Sequence, residues 1–194
     1  MTENKPIQPE PWLRGSLTEV DAVARGVLHA LELAKEDLEK WCGALSDEQM
    51  NRRPVGLAPV AFHLRHIART LDRLLTYAEG QQLNEDQLAS MKSEMEVGGG
   101  PTPRFPSDSV LRGSWGTRED LFAEFERGIE SAMERVRAIG PAGYEEARGV
   151  GRKMLPTSVG GLLVHCADHT QRHVGQAVTT AKVVRQADGS AGSV

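Results

Sequence analysis

The chain has 194 residues, enough for one domain with a real core, and its 5% aromatic content and formal net charge of −4 argue against nucleic-acid binding. Its two cysteines, Cys42 and Cys166, are too few for a disulfide framework, and the N-terminal residues lack the apolar core of a signal peptide. Because its apolar runs are too short to span a bilayer, we expect a cytoplasmic protein that binds neither nucleic acid nor a membrane.

The N-terminal part predicts an arm followed by a long helix. Residues 1–15 are rich in proline and polar side chains, so we expect an extended arm that Trp12 attaches to the rest of the protein. Ser16 and Glu19 have capping-box spacing, and apolar residues then recur at helical spacing. This pattern predicts the first helix, with His29 on its solvent side.

A second long helix is predicted between Pro59 and Gly80, and it carries two histidines beside its apolar stripe. On a helical wheel His63 lies about 60° from Val60, and His66 lies about 120° from it on the same side. A ligand on the flank of the stripe is reasonable if the site lies at the mouth of a bundle. Periodicity alone does not decide between the two histidines.

A polar segment and a long irregular connection follow this helix. Residues 84–97 are polar and predicted to be helical, with Leu88 and Met91 as their few apolar anchors. Residues 98–116 are rich in glycine and proline, and connections of that length are commonly functional lids or mobile spacers. Residues 81–116 together form an insertion between the second and third long helices.

The third long helix is predicted to begin after its capping residue, Thr117, and to end at Gly140. Residues 144–156 show no strand pattern and are predicted to be a connection, and residues 186–194 are predicted to form a flexible tail. Four amphipathic helices without a convincing strand predict an all-α fold, a four-helix bundle with long connections over residues 16–185.

The last predicted helix, residues 157–184, carries His165, His169 and His173 at successive four-residue steps. His169 and His173 interrupt the apolar stripe, whereas His165 lies at its edge. Two imidazoles one turn apart on an inward face can bind one ion, and neutral imidazole suits zinc, nickel, copper or iron. Two ordinary core histidines are the alternative, although each would carry a desolvation cost unless it had a partner. A third ligand must come from elsewhere in the chain.

Two segments resemble the DinB/YfiT-like family: AFHLRHIA, which begins at Ala61, and HCADHTQRHVGQ, which ends at Gln176. In that family a histidine before Ile-Ala or Leu-Ala in the second helix joins a His-x-x-x-His pair in the last helix to bind a divalent metal. The resemblance implies that His66, His169 and His173 bind one nickel or zinc ion. It also implies the bundle fold and, frequently, a homodimer.

The sequence departs from the family pattern in two places. Val174 stands where many members have arginine, and the insertion over residues 81–116 is long. Neither departure replaces a predicted ligand, although the insertion bears on the substrate cavity.

Four residues near the predicted ligands are weaker candidates. His165 could be an outer partner of a ligand, a fourth ligand or a proton shuttle, but its edge position fits a surface or rim histidine equally well. Gln176 could hydrogen-bond a ligand histidine. Cys166 is better explained as a small core residue than as a zinc ligand. His63 competes with His66 for the position in the second helix. We assign no catalytic residue, since the glutamates are too dispersed to nominate a general base.

These observations predict a metal-dependent enzyme that acts on small molecules, either a thiol S-transferase or a hydrolase. Three neutral ligands leave the ion its double charge, so it can lower the pKa of a bound water or thiol and keep a position for substrate. The family resemblance implies a low-molecular-weight thiol as one partner. The alternative is a non-catalytic, stress-related binding protein with a structural metal, and an open coordination position facing a cavity would favour the enzyme.

Overall fold

The computed structural model describes residues 9–97 and 115–189. These residues are mostly helical, as predicted, and the elements are α1 (Ala22–Cys42), α2 (Asp47–Asn51), α3 (Val60–Ala78), α4 (Glu85–Val97), α5 (Arg118–Ala138), β1 (Ala147–Val150), β2 (Leu155–Ser158) and α6 (Val159–Ala187). The predictions for residues 1–8 of the arm, 98–114 of the insertion and 190–194 of the tail lie outside the described residues. No described helix combines the length and the apolar character needed to cross a membrane.

The core lies between the four long helices α1, α3, α5 and α6. Helix α1 contacts α5 and α6, and α3 contacts the same two helices from the other side. Their apolar stripes meet in the interior, where the largest fully buried side chains include Leu28, Leu31, Leu38, Leu64, Ile67, Leu71, Phe125 and Ile129. Burying an aliphatic or aromatic side chain of this size stabilises the fold by about 1.5–3 kcal/mol.

Helices α3 and α5 approach each other closely at Gly128. A Cβ atom at this position would lie 2.6 Å from the Cβ of Ala68 on α3, far inside van der Waals contact. We expect Gly128→Ala to lower the free energy of unfolding by about 1–3 kcal/mol, because the two helices must move apart to accept the methyl group.

A glycine on α1 provides the matched control. A Cβ atom at Gly26 would meet nothing within 4 Å, so Gly26→Ala should raise the free energy of unfolding by about 0.5–1 kcal/mol through helix propensity alone. Urea denaturation of the two variants measures both effects. If both substitutions stabilise the protein equally, α3 and α5 do not approach each other closely at Gly128.

The beginning of α1 differs from the prediction. The side chain of Asp21 caps this helix by accepting hydrogen bonds from two backbone N–H groups, so the predicted capping box at Ser16 is wrong. Trp12 is 61% exposed and does not attach the arm. The described part of the arm is held instead by Arg14, whose guanidinium donates two hydrogen bonds to the carboxylate of Glu36.

The β1–β2 hairpin corrects the prediction that residues 144–156 form an irregular connection. The two strands are antiparallel, and Gly149 pairs with Pro156. A glycine and a proline in such short strands disfavour a strand prediction, and the strands bury no alternating apolar face. The hairpin leads directly into α6, because Ser158 ends β2 and caps α6 through a hydrogen bond from the N–H of Gly161.

Candidate metal centre

Three histidines from two facing helices meet at one point. His66 lies on α3, and His169 and His173 lie one turn apart on α6. One ring nitrogen of each histidine lies within 4.8 Å of the other two. The Nε2 atoms of His66 and His169 are 3.2 Å apart, and the ring centroids of His66 and His173 are 4.4 Å apart. The structure therefore brings together the three residues that the sequence nominated, and we call them the histidine cluster.

The separation of these nitrogen atoms suits a tetrahedral metal ion. Zinc–nitrogen bonds in proteins are about 2.0–2.1 Å long, and tetrahedral angles then place neighbouring donor atoms roughly 3.3 Å apart. The distance of 3.2 Å between Nε2 of His66 and Nε2 of His169 is close to that value. This pair of nitrogens could therefore bind one divalent ion, with His173 as the third ligand within 4.8 Å.

Burial keeps the two α6 histidines of the cluster neutral. Burial, with a smaller contribution from the neighbouring His66, lowers the pKa of His169 to about 4 and the pKa of His173 to about 3. Neutral imidazole is the form that binds a metal ion. Both side chains are therefore ready to bind an ion at neutral pH.

Glu94 on α4 supports His66 on the side away from the other two histidines of the cluster. Its Oε2 lies 3.0 Å from Nδ1 of His66, and its side chain is only 4% exposed. Arg73 donates hydrogen bonds to both carboxylate oxygens, over 3.4 Å and 3.2 Å. Burial by itself would raise the pKa of Glu94, but the hydrogen bond with His66 and the charge of Arg73 outweigh it and lower the pKa. An ionised Glu94 accepts the Nδ1 hydrogen of His66, which leaves the Nε2 lone pair for an ion.

Sequence reasoning missed Glu94 because the inward face of α4 is polar. The predicted anchors of this helix, Leu88 and Met91, are 43% and 37% exposed, so that prediction is wrong. Gln87 faces inward instead, where its Nε2 donates a hydrogen bond to Oγ1 of Thr76 over 2.9 Å. Gln87 and Glu94 lie two helical turns apart on one face, but α4 also carries polar residues on its other faces, so the sequence holds no signal that singles out Glu94.

His63 lies beside the histidine cluster. It is 3% exposed, and its Nδ1 is 2.9 Å from Nδ1 of His173. The contact orients the ring of His173. For Nε2 of His173 to bind an ion, its Nδ1 must carry the hydrogen and donate it to Nδ1 of His63. Burial, with a smaller contribution from His66, lowers the pKa of His63 to about 4.

The other three weaker candidates are also outside the cluster. His165 is half-exposed, and its Nδ1 lies 2.8 Å from the carboxylate of Asp168. Its ring stacks on His169 with centroids 5.4 Å apart. Cys166 is fully buried, and burial raises the pKa of its thiol to about 12, as expected for a core residue. Gln176 is exposed, and within the described part of the chain it makes no hydrogen bond to a histidine.

A cavity of about 650 Å³ opens beside the cluster. His63, His66 and His173 line it, together with Phe62, whose ring stacks on His66 at a centroid distance of 5.0 Å. Trp115 packs edge-on against Phe62 and is buried. The cavity has the size of a typical small-molecule site. An ion in the cluster would therefore have space for a substrate beside it.

The low pKa values predict how the metal-free protein responds to acid. Histidines of the unfolded chain protonate near pH 6.5, whereas folded His63 and His169 protonate only near pH 4. The unfolded state therefore binds more protons between these two pH values. The contribution of these histidines to the free energy of unfolding is fully present above pH 6.5 and is lost as the pH decreases towards 4. The limiting slope is about 1.4 kcal/mol per pH unit for each such histidine.

Urea denaturation of chelator-treated protein at pH 7, 6 and 5 measures this loss of stability. These pH values lie above the range in which most carboxylates titrate, so the histidines dominate the change. His63→Gln removes one of the contributing groups and should make the dependence on pH shallower. An unchanged free energy of unfolding from pH 7 to pH 5 would contradict the burial of these imidazoles in neutral form.

The sequence from residue 30 to residue 177 matches the family model of the DinB superfamily. The matched residues include the whole of α3 and the part of α6 that carries His169 and His173. No curated protein and no solved structure gives a significant match to the chain.

Proposed function

Since the chain belongs to the DinB superfamily, we propose that its histidine cluster binds one divalent metal ion, nickel or zinc, in an enzyme that acts on small molecules. The observation that carries this proposal is the position of the cluster at the edge of a cavity. Two of its three histidines, His66 and His173, also line that cavity. A purely structural ion would not need such space beside it.

We also propose that α1, α3, α5 and α6 form a four-helix bundle of the DinB type over residues 16–185, with residues 81–116 as an insertion. The contact between α3 and α6 supports this assignment, since metal sites in bundles are built from side chains on facing helices. The insertion contributes Glu94 to the site through α4.

The proposed reaction is thiol S-transfer or hydrolysis. A bound divalent ion would supply Lewis acidity, which lowers the pKa of a thiol or water at the site. Imidazole is uncharged when it binds a metal ion, so three histidine ligands would not reduce the positive charge of the ion. Glu94 fixes the hydrogen of His66 on Nδ1, and the Phe62 ring forms an apolar wall beside His66. We favour a low-molecular-weight thiol as one substrate because of the family resemblance.

Metal analysis followed by activity assays tests this function. The purified protein should contain about one nickel or zinc ion per chain, and the loaded protein should consume a thiol in the presence of an electrophile or hydrolyse a small ester or amide. Chelation and His169→Ala should abolish that activity. A stoichiometric ion without turnover of any thiol, electrophile or hydrolysable substrate would instead favour the non-catalytic binding protein.

Two further proposals rest on the family resemblance and the composition. We propose a homodimer, for which light scattering should give about twice the chain mass of 21.2 kDa, and the mass of a single chain would contradict it. We also propose a cytoplasmic location, which subcellular fractionation would test.

A further inference from the structure

Two of the side chains that line the cavity carry positive charge. Arg53, immediately before the short 3-10 helix Pro54–Gly56, and Arg172 on α6 both line it. Among the described residues no aspartate or glutamate does so. The whole chain has the opposite balance, with 27 acidic residues and 23 lysines and arginines. The cavity therefore differs in charge from the protein around it.

The acidic groups behind His66 do not offset this charge, because other arginines already engage them. Glu94 is paired with Arg73. Glu124 on α5 accepts hydrogen bonds from Arg65 and Arg69, each over 2.8 Å. These two carboxylates are thus surrounded by three guanidinium groups, and they leave no excess negative charge next to the cavity.

Arg172 is placed so that a ligand could compete for it. It precedes His173 on α6, and its Nη2 donates a hydrogen bond to Oδ2 of Asp168 over 3.1 Å. The two side chains are 57% and 50% exposed, and ion pairs at that exposure are weak. One turn further along the helix, the exposed amide of Gln176 also lines the cavity and adds a neutral hydrogen-bond donor.

We infer that the cavity binds a small substrate with a carboxylate group, which Arg53 and Arg172 bind while the reacting group of the substrate faces the histidine cluster. Guanidinium groups bind carboxylates through paired, charge-assisted hydrogen bonds. A cavity of about 650 Å³ can hold both ends of such a molecule. This inference rests on the proposed function, since it takes the reacting group to be a thiol that reaches the metal.

Two thiols that differ in charge and little in shape test the inference. Cobalt(II)-loaded protein is titrated with 3-mercaptopropionate and with 3-mercaptopropionamide, and the thiolate-to-cobalt absorption band reports binding at the metal. The wild-type protein should bind the carboxylate at least about tenfold more tightly than the amide, because only the carboxylate brings a negative charge and two equivalent oxygens to the guanidinium groups. Equal affinity for the two thiols in the wild-type protein would overturn the inference.

Substitutions test whether the two arginines cause the preference for the carboxylate. Arg53→Gln and Arg172→Gln should each reduce the preference for the carboxylate severalfold, because each weakens binding of the carboxylate more than binding of the amide. Arg127→Gln is the control, because Arg127 is an exposed residue of α5 that does not line the cavity. Arg172→Gln alone suffices if Arg53→Gln does not fold. An unaltered preference in Arg172→Gln and in every folded Arg53 variant would also overturn the inference.

Failure of the proposed thiol chemistry has a different signature. If neither thiol produces the absorption band, that chemistry is wrong, and the anion site is tested with succinate by NMR titration of the metal-free protein. Succinate binding that is weakened by Arg172→Gln but not by Arg127→Gln supports the carboxylate site. Absence of binding, or binding that is insensitive to the arginines of the cavity, overturns it.

Discussion

Replacing His169 by alanine should leave the purified protein without bound metal, and His66→Ala and His173→Ala should do the same. Each substitution removes one of only three protein ligands in the proposed site. Losing even an outer partner of a ligand typically lowers metal affinity about 10- to 100-fold, so the loss of a ligand should exceed that range. Elemental mass spectrometry of each variant after gel filtration measures the number of metal ions per chain.

Two other histidines serve as controls for this experiment. His29 lies on α1, outside the cluster, so His29→Ala should retain stoichiometric metal. His63→Ala should retain the ion with reduced affinity, because His63 contacts His173 without belonging to the cluster. A stoichiometric ion in His169→Ala would contradict the assignment. If His63→Ala empties the site and His66→Ala does not, the assignment of the α3 ligand is wrong.

Glu94→Gln should lower metal affinity about 10- to 100-fold without unfolding the protein. The amide oxygen can still accept the Nδ1 hydrogen of His66, but the negative charge that strengthens this hydrogen bond is lost. Arg73 loses its ionic partner at the same time. Competition titration with a chromophoric chelator measures the affinity, and NMR of the imidazole nitrogens of the metal-free protein reports the tautomer of His66.

Glu124→Gln is the matched control for this substitution. Glu124 accepts hydrogen bonds from two arginines of α3, Arg65 and Arg69, and among the described residues its carboxylate is not hydrogen-bonded to the histidine cluster. Arg69 also pairs with Glu94, but only at 3.7 Å. The loss of the Glu124 charge should therefore cost some stability and change metal affinity much less than Glu94→Gln does. If Glu94→Gln binds metal as tightly as the wild type, or if both substitutions weaken binding equally, Glu94 has no specific role in holding His66.

Local sequence signals predicted much of the fold. The side chain of Thr117 accepts a hydrogen bond from the N–H of Asp120, so the predicted cap of α5 is confirmed. The four-residue step from His169 to His173 placed both imidazoles on one inward face of α6, and their rings lie with centroids 4.5 Å apart. These features depend on residues within one or two turns of a helix, which a sequence shows directly.

Features that depend on tertiary contacts were harder to predict. The wheel did not separate His63 from His66, because α3 touches α4, α5 and α6 and is buried on several faces, including those of Arg73 and Thr76. Glu94 was missed because a buried carboxylate is favourable only beside the histidine and arginine that it meets in the folded protein. No periodic pattern within α4 encodes those partners.

X-ray absorption spectroscopy of the nickel- or zinc-loaded protein tests the three-histidine centre most directly. It counts the imidazole ligands around the ion and distinguishes sulfur from nitrogen and oxygen ligands. We predict three imidazoles from His66, His169 and His173, together with at least one oxygen or other light atom from solvent and no sulfur. A fourth imidazole would contradict this account by placing His63 or His165 in the coordination sphere, and a sulfur ligand would do so by placing Cys166 there. Fewer than three imidazoles would likewise contradict a centre shared between α3 and α6.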